Sequence, residues 1–266
     1  MPVLEWAYWD FSYNPLGGCL PVDPSCDNCY AAQCAGTKTW PFPGYAGIHD
    51  GVTVKKGKKR VFNGEATRTP DRHPLWTKPL RLPGAKHPKL GPGKRSLVFV
   101  EDMGDLFFEK HSDADITLAI ETVVFSGHIG LLLSKRTERM VAHFLKQSPL
   151  TVRQWQPNLL LGFSAGHQEW FDRRLKDMLA LAEAGWFILV SIAPMYEPVL
   201  RPEFVALGKR TWVIVGGEMA PKARCHPMDA DWGAGDPCSM QSSRNSILYA
   251  RNAYGRGVYS AETANS

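Results

Sequence analysis

The 266-residue chain is 44% hydrophobic and 11% aromatic, carries 31 Lys and Arg against 26 Asp and Glu, and has a net charge of +5. Those values exclude a disordered chain and a small scaffold that depends on disulfides. No apolar run approaches the roughly eighteen residues of a membrane-spanning helix, and the start, MPVLEWAYWDFSYN, has neither the basic nor the apolar region of a secretory signal, so the expectation is a cytoplasmic protein with no membrane partner.

In chain order, the first feature is an aromatic lead of Trp6, Tyr8, Trp9 and Phe11, expected to pack beneath the neighbouring cysteine-rich loop rather than to stack on bases. That loop is PLGGCLPVDPSCDNCYAAQCA at 15–35. It holds Cys19, Cys26, Cys29 and Cys34, whereas the rest of the chain has only Cys225 and Cys238. The spacing is C-x6-C-x2-C with Cys34 five residues on. A C-x2-C pair can turn both sulfurs toward one metal, and the Asp, Asn and Pro around it are turn formers. Gly17 and Gly18 are expected to let the backbone approach a cluster. Four readings of these cysteines stand: a disulfide pair, a four-thiolate zinc that uses Cys34, a three-thiolate iron–sulfur cluster with Cys34 outside it, and ordinary core cysteines. A cluster with three protein ligands leaves one iron open, by the logic that makes an open zinc position catalytic.

Residues 51–95 carry thirteen Lys and Arg against Glu65 and Asp71, a local balance of +11 that leaves −6 for the remainder. Six prolines crowd its second half, so it reads as a long irregular insertion. Such charge asymmetry points to a polyanion, and Tyr45 and Trp76 could stack a base beside it.

Beyond it, strand and helix alternate. Strands are expected at 96–100, 129–134, 159–164, 186–191 and 211–216, and helices at 112–127, 137–147 and 168–185. Ser112 or Asp113 caps the first helix and Gly127 ends it; Thr137 caps the second; Gly185 ends the third. Continuous apolar strands alternating with helices argue for a parallel sheet covered by helices. Five strand ends carry polar or small tips, and in parallel α/β folds the ligand sits at those ends. The chain divides into one domain over 1–238, with the basic segment as its insertion, and a C-terminal extension over 239–266.

The Cys block, Trp9-x4-Asn14-Pro15-x2-Gly18-Cys19 followed by Pro24-Ser25-Cys26-Asp27-Asn28-Cys29-Tyr30-Ala31, resembles the phage and bacterial three-Cys-motif family, whose members are similar to radical SAM enzymes. FVEDMGDLFFE at 99–109, LLSKRTERM at 132–140, LLLGFSAGHQ at 159–168, ILVSIAPMYEPV at 188–199 and WVIVGGEMAPKAR at 212–224 continue the resemblance in order. It implies a partial or complete (β/α) barrel, a [4Fe–4S] cluster on Cys19, Cys26 and Cys29, and S-adenosyl-L-methionine (SAM) at the open iron. It also implies a 5′-deoxyadenosyl radical, an electron donor as partner, and a setting in a bacterial or phage-infected cell. Six residues separate the first two cysteines where the commonest radical SAM motif has three, and SMQSSRNSILYARNAYGRGVYSAETANS replaces the aromatic close usual in the family.

On that resemblance, Gly216 and Gly217 let backbone approach SAM and Glu218 accepts from its ammonium. Lys135 or Arg136 offsets a carboxylate or phosphate, and Asp102, with Glu101 and Asp105, faces ribose hydroxyls. Ser164, His167 and Gln168, then Ser191, Pro194 and Glu197, complete the ring. No residue is assigned as general base. The substrate class is nucleic acid or a nucleotide derivative; the alternative is a nucleic-acid-binding protein stabilised by zinc on Cys19, Cys26, Cys29 and Cys34.

Overall fold

A computed structural model of the chain describes residues 8–35, 47–82, 85–87, 91–146, 156–199, 210–218, 226 and 249–252. Trp6, Tyr45, Cys225, Cys238, the helix end at 147 and most of the 239–266 extension lie outside them.

Apolar β-branched and aromatic runs form the sheet. Its strands are β1 (Phe11–Tyr13), β8 (Leu97–Val100), β9 (Ile129–Ser134), β10 (Leu159–Ser164), β11 (Phe187–Ile192) and β12 (Thr211–Val215), all parallel and in that spatial order. A final strand, β13 (Tyr249–Asn252), runs antiparallel along β12. The fold is therefore α/β with a six-stranded parallel sheet. The sheet is open, with β1 and β13 as its edges among the described residues, so the complete barrel is not formed.

Helix α2 (Asp113–Ser126) follows β8, α3 (Thr137–Leu145) follows β9, and α4 (Gln168–Glu183) follows β10. The Ser112 hydroxyl accepts the Asp115 N–H at 3.1 Å, a cap worth about 1 kcal/mol. Gly127 at φ 74° closes the same helix in the left-handed conformation. Thr137 is the first helical residue rather than the cap, and its hydroxyl is directed to Asp177 at 2.5 Å.

All three helices pack on one face of the sheet. Val98, Val100, Leu132, Leu161, Phe163, Ile188 and Val190 meet Ile116, Ile120, Met140, Phe144, Phe171 and Met178 there. Strand alternation sends the intervening residues to the other face. That face has its own apolar floor of Phe99, Leu131, Leu189 and Ile214, against which Tyr8, Trp9 and Trp212 pack. Trp9 stands edge-on to Phe99 at 5.1 Å and Tyr8 edge-on to Trp212 at 5.8 Å. Both lead aromatics are half-buried and pack against that floor.

The basic segment departs from the irregular reading. It holds β3 (Thr53–Lys56) and β4 (Lys59–Phe62), paired as a hairpin, then β5 (Ala66–Arg68), which pairs with β2 (Leu16–Gly18). Two 3-10 turns at Pro74–Thr77 and Pro79–Arg81 come next, then the pair β6 (Ala85–His87) and β7 (Gly91–Lys94). Each 3-10 turn starts on a proline, whose missing N–H costs nothing there. Trp76 is buried in the core, its indole N–H donating to the Thr69 carbonyl at 3.2 Å, so it is not available to stack a base.

Candidate functional site

Six parallel strands end along one edge. Alternation puts Ser12, Ser164, Ser191 and Gly216 on the face opposite the helices, at the upper rim of the apolar floor. Ser164 and Ser191 are direct neighbours in register. Three residues read from the sequence thus share one face at one edge of the sheet, and Ser12 joins them. The signal for Ser12 was hidden because a three-residue strand is too short to show periodicity.

The cysteine segment spans this edge. After β2 it turns through a 3-10 turn at Pro24–Cys26 and enters helix α1 (Tyr30–Cys34) with Cys29 at its cap. Three strand ends hold it. The Tyr30 hydroxyl donates to the Asp102 carbonyl at 2.6 Å, beyond β8. Beyond β9, Lys135 Nζ lies 3.3 Å from Cys26 Sγ, and Arg136 Nη1 lies 3.4 Å from Cys19 Sγ. Beyond β12, Glu218 accepts from Asn28 Nδ2, inside the C-x2-C turn, at 2.9 Å.

Gly17 and Gly18 serve a different end from the one expected. A Cβ on Gly17 would stand 2.3 Å from Thr67 Oγ1, and one on Gly18, at φ 113°, would stand 2.2 Å from the Glu65 carbonyl oxygen. Their missing side chains admit β5 against the cysteine segment. On the other flank, the Gln33 side chain both donates to and accepts from the Arg60 backbone, at 2.8 and 3.1 Å, and Lys59 pairs with Asp27 at 2.9 Å. The insertion therefore braces the cysteine-bearing turn.

Beneath Cys26 lies a buried ion cluster. The Asp23 carboxylate, 1% exposed, pairs with Arg174 at 2.6 Å and Lys135 at 3.0 Å and accepts from Ser25 Oγ at 2.5 Å. Burial works against the carboxylate, but these partners hold its pKa down at about 2. Arg174 also donates to the Ser164 carbonyl at 2.7 Å and the Lys135 carbonyl at 3.2 Å, linking α4 to the ends of β9 and β10. Asp23 and Arg174 escaped the sequence reading because one looked like a turn former and the other like the polar face of a helix.

Arg136 is likewise enclosed, pairing with Asp105 at 3.0 Å and Glu109 at 2.8 Å. Asp105 also accepts from Ser134 Oγ at 2.7 Å. Asp102 is buried and already accepts from Asn14 at 2.6 Å and Ser12 at 2.8 Å; burial raises its pKa against those bonds. Glu218 is 3% exposed and takes hydrogen bonds from Tyr196 Oη at 2.6 Å and the His226 N–H at 2.8 Å besides Asn28. Burial opposes its charge, but the Tyr196, His226 and Asn28 donors win and its pKa is lowered. Glu218 is thus a clamp on the cysteine turn. His167 stacks on Tyr196 at 5.1 Å and lies 3.8 Å from Glu197.

Burial pushes the Cys19 thiol up to about 12, with Asp105, Cys29 and Cys26 adding to the push against Arg136; burial and Cys29 raise Cys34 to about 12 as well. Among the described residues, no three His, Cys, Asp or Glu side chains are grouped to hold a metal ion. A lone tetrahedral zinc with bonds of ~2.3 Å would draw its thiolates to within about 4 Å of one another. An iron–sulfur cube instead takes each thiolate on a separate iron. Cys19, Cys26 and Cys29 are half-buried thiols, as is Cys34, and two of them face a cation that can offset thiolate charge; by donor chemistry alone the set suits such a cube.

No curated protein and no solved structure matches the chain. A family model described as a protein of unknown function, DUF5131, matches residues 3–256, nearly the whole length, and the chain belongs to that family.

Proposed function

We propose that this is a radical SAM-type iron–sulfur enzyme built on a partial (β/α) barrel, with Cys19, Cys26 and Cys29 holding a [4Fe–4S] cluster and SAM at the open iron. When bound, that pair supplies one-electron reductive cleavage of the sulfonium, giving a 5′-deoxyadenosyl radical, with the electron coming from an external donor. The observation that carries the reading is the cysteine turn tied to the ends of β8, β9 and β12, above a strand face whose rim is Ser12, Ser164, Ser191 and Gly216. The one-sided helix layer and the consecutive strand order, with no switch point, support the partial barrel.

The chain's own residues hold and shield. Lys135 and Arg136 each face one sulfur and offset charge there, and their own partners, Asp23 and Asp105, fix where the cations stand. Glu218 holds Asn28, and through it the C-x2-C turn, over that face. At Gly216 the nearest atom to an added Cβ among the described residues is Ala193 Cβ at 3.5 Å, a spacing that lets backbone there meet a ligand. Asp102 orients the N-terminal strand through Ser12 and Asn14. The substrate class, nucleic acid or a nucleotide derivative, rests on the basic balance of residues 51–95.

Anaerobic reconstitution with iron and sulfide tests the reading. It predicts about four irons per chain and visible thiolate-to-iron absorption in the native chain, both lost in Cys26→Ala. Full iron content in that variant overturns it; one zinc and no iron in anaerobically purified protein favours the four-thiolate site.

A further inference from the structure

Among the side chains of the +11 segment that the structure describes, the exposed cations cluster at the β3–β4 hairpin. Its turn runs Lys55-Lys56-Gly57-Lys58-Lys59-Arg60, with Gly57 at φ 60° making the reversal. Lys55, Lys56 and Lys58 are exposed and, among the described residues, form no ion pair. The other cations of the segment whose side chains are described are largely committed. Arg68 pairs with Asp71 and Asp115, Lys59 with Asp27, and Lys78 donates to the Ser12 carbonyl.

Register makes this concentration costly. Lys55 stands directly across from Arg60, and Lys56 across from Lys59. Like charges directly opposite on a two-stranded ribbon destabilise it. A lysine placed only to blunt an exposed edge needs no such pairs. Asp27 offsets the charge of Lys59, and a polyanion laid along the ribbon would offset the rest.

The base of the ribbon also sits where a substrate must arrive. Lys59 grips Asp27, between Cys26 and Cys29, and Arg60 is held by Gln33 on the cysteine-bearing helix α1. The tip at Gly57 is two residues beyond Lys59, roughly 7 Å at about 3.4 Å per residue.

We propose that the β3–β4 hairpin is a docking ribbon for the phosphodiester backbone of a nucleic acid, through Lys55, Lys56 and Lys58, delivering the strand to the cysteine turn. This deepens the functional reading above, on which it rests for what happens to the strand once bound.

The test is fluorescence anisotropy of the full chain with labelled 20-nucleotide single-stranded DNA, single-stranded RNA and duplex DNA, across a salt series. The native chain binds at least one, and the three arms tell which. In Lys55→Gln/Lys56→Gln/Lys58→Gln the slope of log affinity against log salt becomes less negative by about 2 to 3, and affinity at 0.1 M salt falls at least about tenfold. Unchanged slope and affinity overturn the proposal, as does a native chain that binds poly-glutamate but none of the three probes. Formation of 5′-deoxyadenosine, measured on the same preparations without oligonucleotide, keeps the two claims apart. Hairpin-dependent binding without nucleoside sinks the radical reading alone, and nucleoside with hairpin-independent binding sinks the ribbon alone.

Discussion

Asp23→Asn is the sharpest structural perturbation. The substitution keeps the shape of the side chain and removes its charge, leaving Arg174 and Lys135 facing each other beneath Cys26. Both Asp23 and Arg174 are almost wholly enclosed, at 1% and 4% exposure, so water cannot replace the lost partner. Breaking a buried ion pair by removing one member costs about 3 to 5 kcal/mol. Arg174 retains its bonds to the Ser164 and Lys135 carbonyls, which puts the loss near the lower figure. The pH dependence gives a second measure. A carboxyl held at about 2 against its ordinary 3.8 contributes ~2 kcal/mol at about 1.4 kcal/mol per unit. Because the folded-state pKa is the lower one, that contribution is present above pH 3.8 and is lost as pH falls from 3.8 toward 2. Urea unfolding at pH 7 and across the acid range measures both, and a double-mutant cycle with Arg174→Gln isolates the pair. A loss under about 1 kcal/mol at pH 7, or parallel acid limbs in the native and Asp23→Asn chains, refutes the buried-cluster account.

Three further outcomes are expected. Burial pushes the His49 imidazole down to about 4 from its ordinary 6.5, so the unfolded chain takes up the proton first and stability falls as pH drops from 6.5 to 4, by about 3 kcal/mol; His49→Gln flattens that limb, and an equally steep limb in the variant counts against it. The Glu101 carboxyl, buried beside Leu16 and in the field of Asp102, has its pKa raised well above 4.5, so its contribution is full below 4.5 and is lost as pH rises through the folded value; Glu101→Gln, read by thermal melting, should gain relative to the native chain as pH rises, and a variant that loses ground with rising pH contradicts this. A Cβ on Gly166 would stand 2.4 Å from the Pro194 carbonyl oxygen, whereas one on Gly216 meets nothing nearer than 3.5 Å among the described residues; Gly166→Ala should therefore cost about 1 to 3 kcal/mol and Gly216→Ala under about 0.5 kcal/mol, and equal midpoints would contradict the difference.

The sheet was legible because its strands are buried on both faces, so each is a continuous apolar run bounded by caps such as Ser112 and Gly127. Five strands and three helices fall within two residues of where the pattern put them. The strands before residue 95 were not legible, for two physical reasons. β1 and β2 are three residues long and take their stability from partners 87 and about 50 residues away. The β3–β4 hairpin hides its alternation under a charge run, though Gly57 between two basic strands is a turn signal. At the site, residues with chemistry at strand tips could be read: Lys135, Asp102, Ser164, Ser191 and the Gly216–Glu218 turn lie along one edge. What they touch could not be read. Glu218 is engaged by Asn28, Tyr196 and His226, Gly17 and Gly18 admit β5, and Trp76 is core, because each depends on a contact between segments distant in sequence.

The central claim, that Cys19, Cys26 and Cys29 carry a cluster that cleaves SAM, is tested most directly by one measurement. Reconstituted protein, reduced with dithionite under anaerobic conditions, is incubated with SAM, and 5′-deoxyadenosine is quantified by mass spectrometry. The account predicts the nucleoside from the native chain and none from Cys19→Ala, Cys26→Ala or Cys29→Ala. A native chain with full iron and sulfide content that yields no 5′-deoxyadenosine contradicts it.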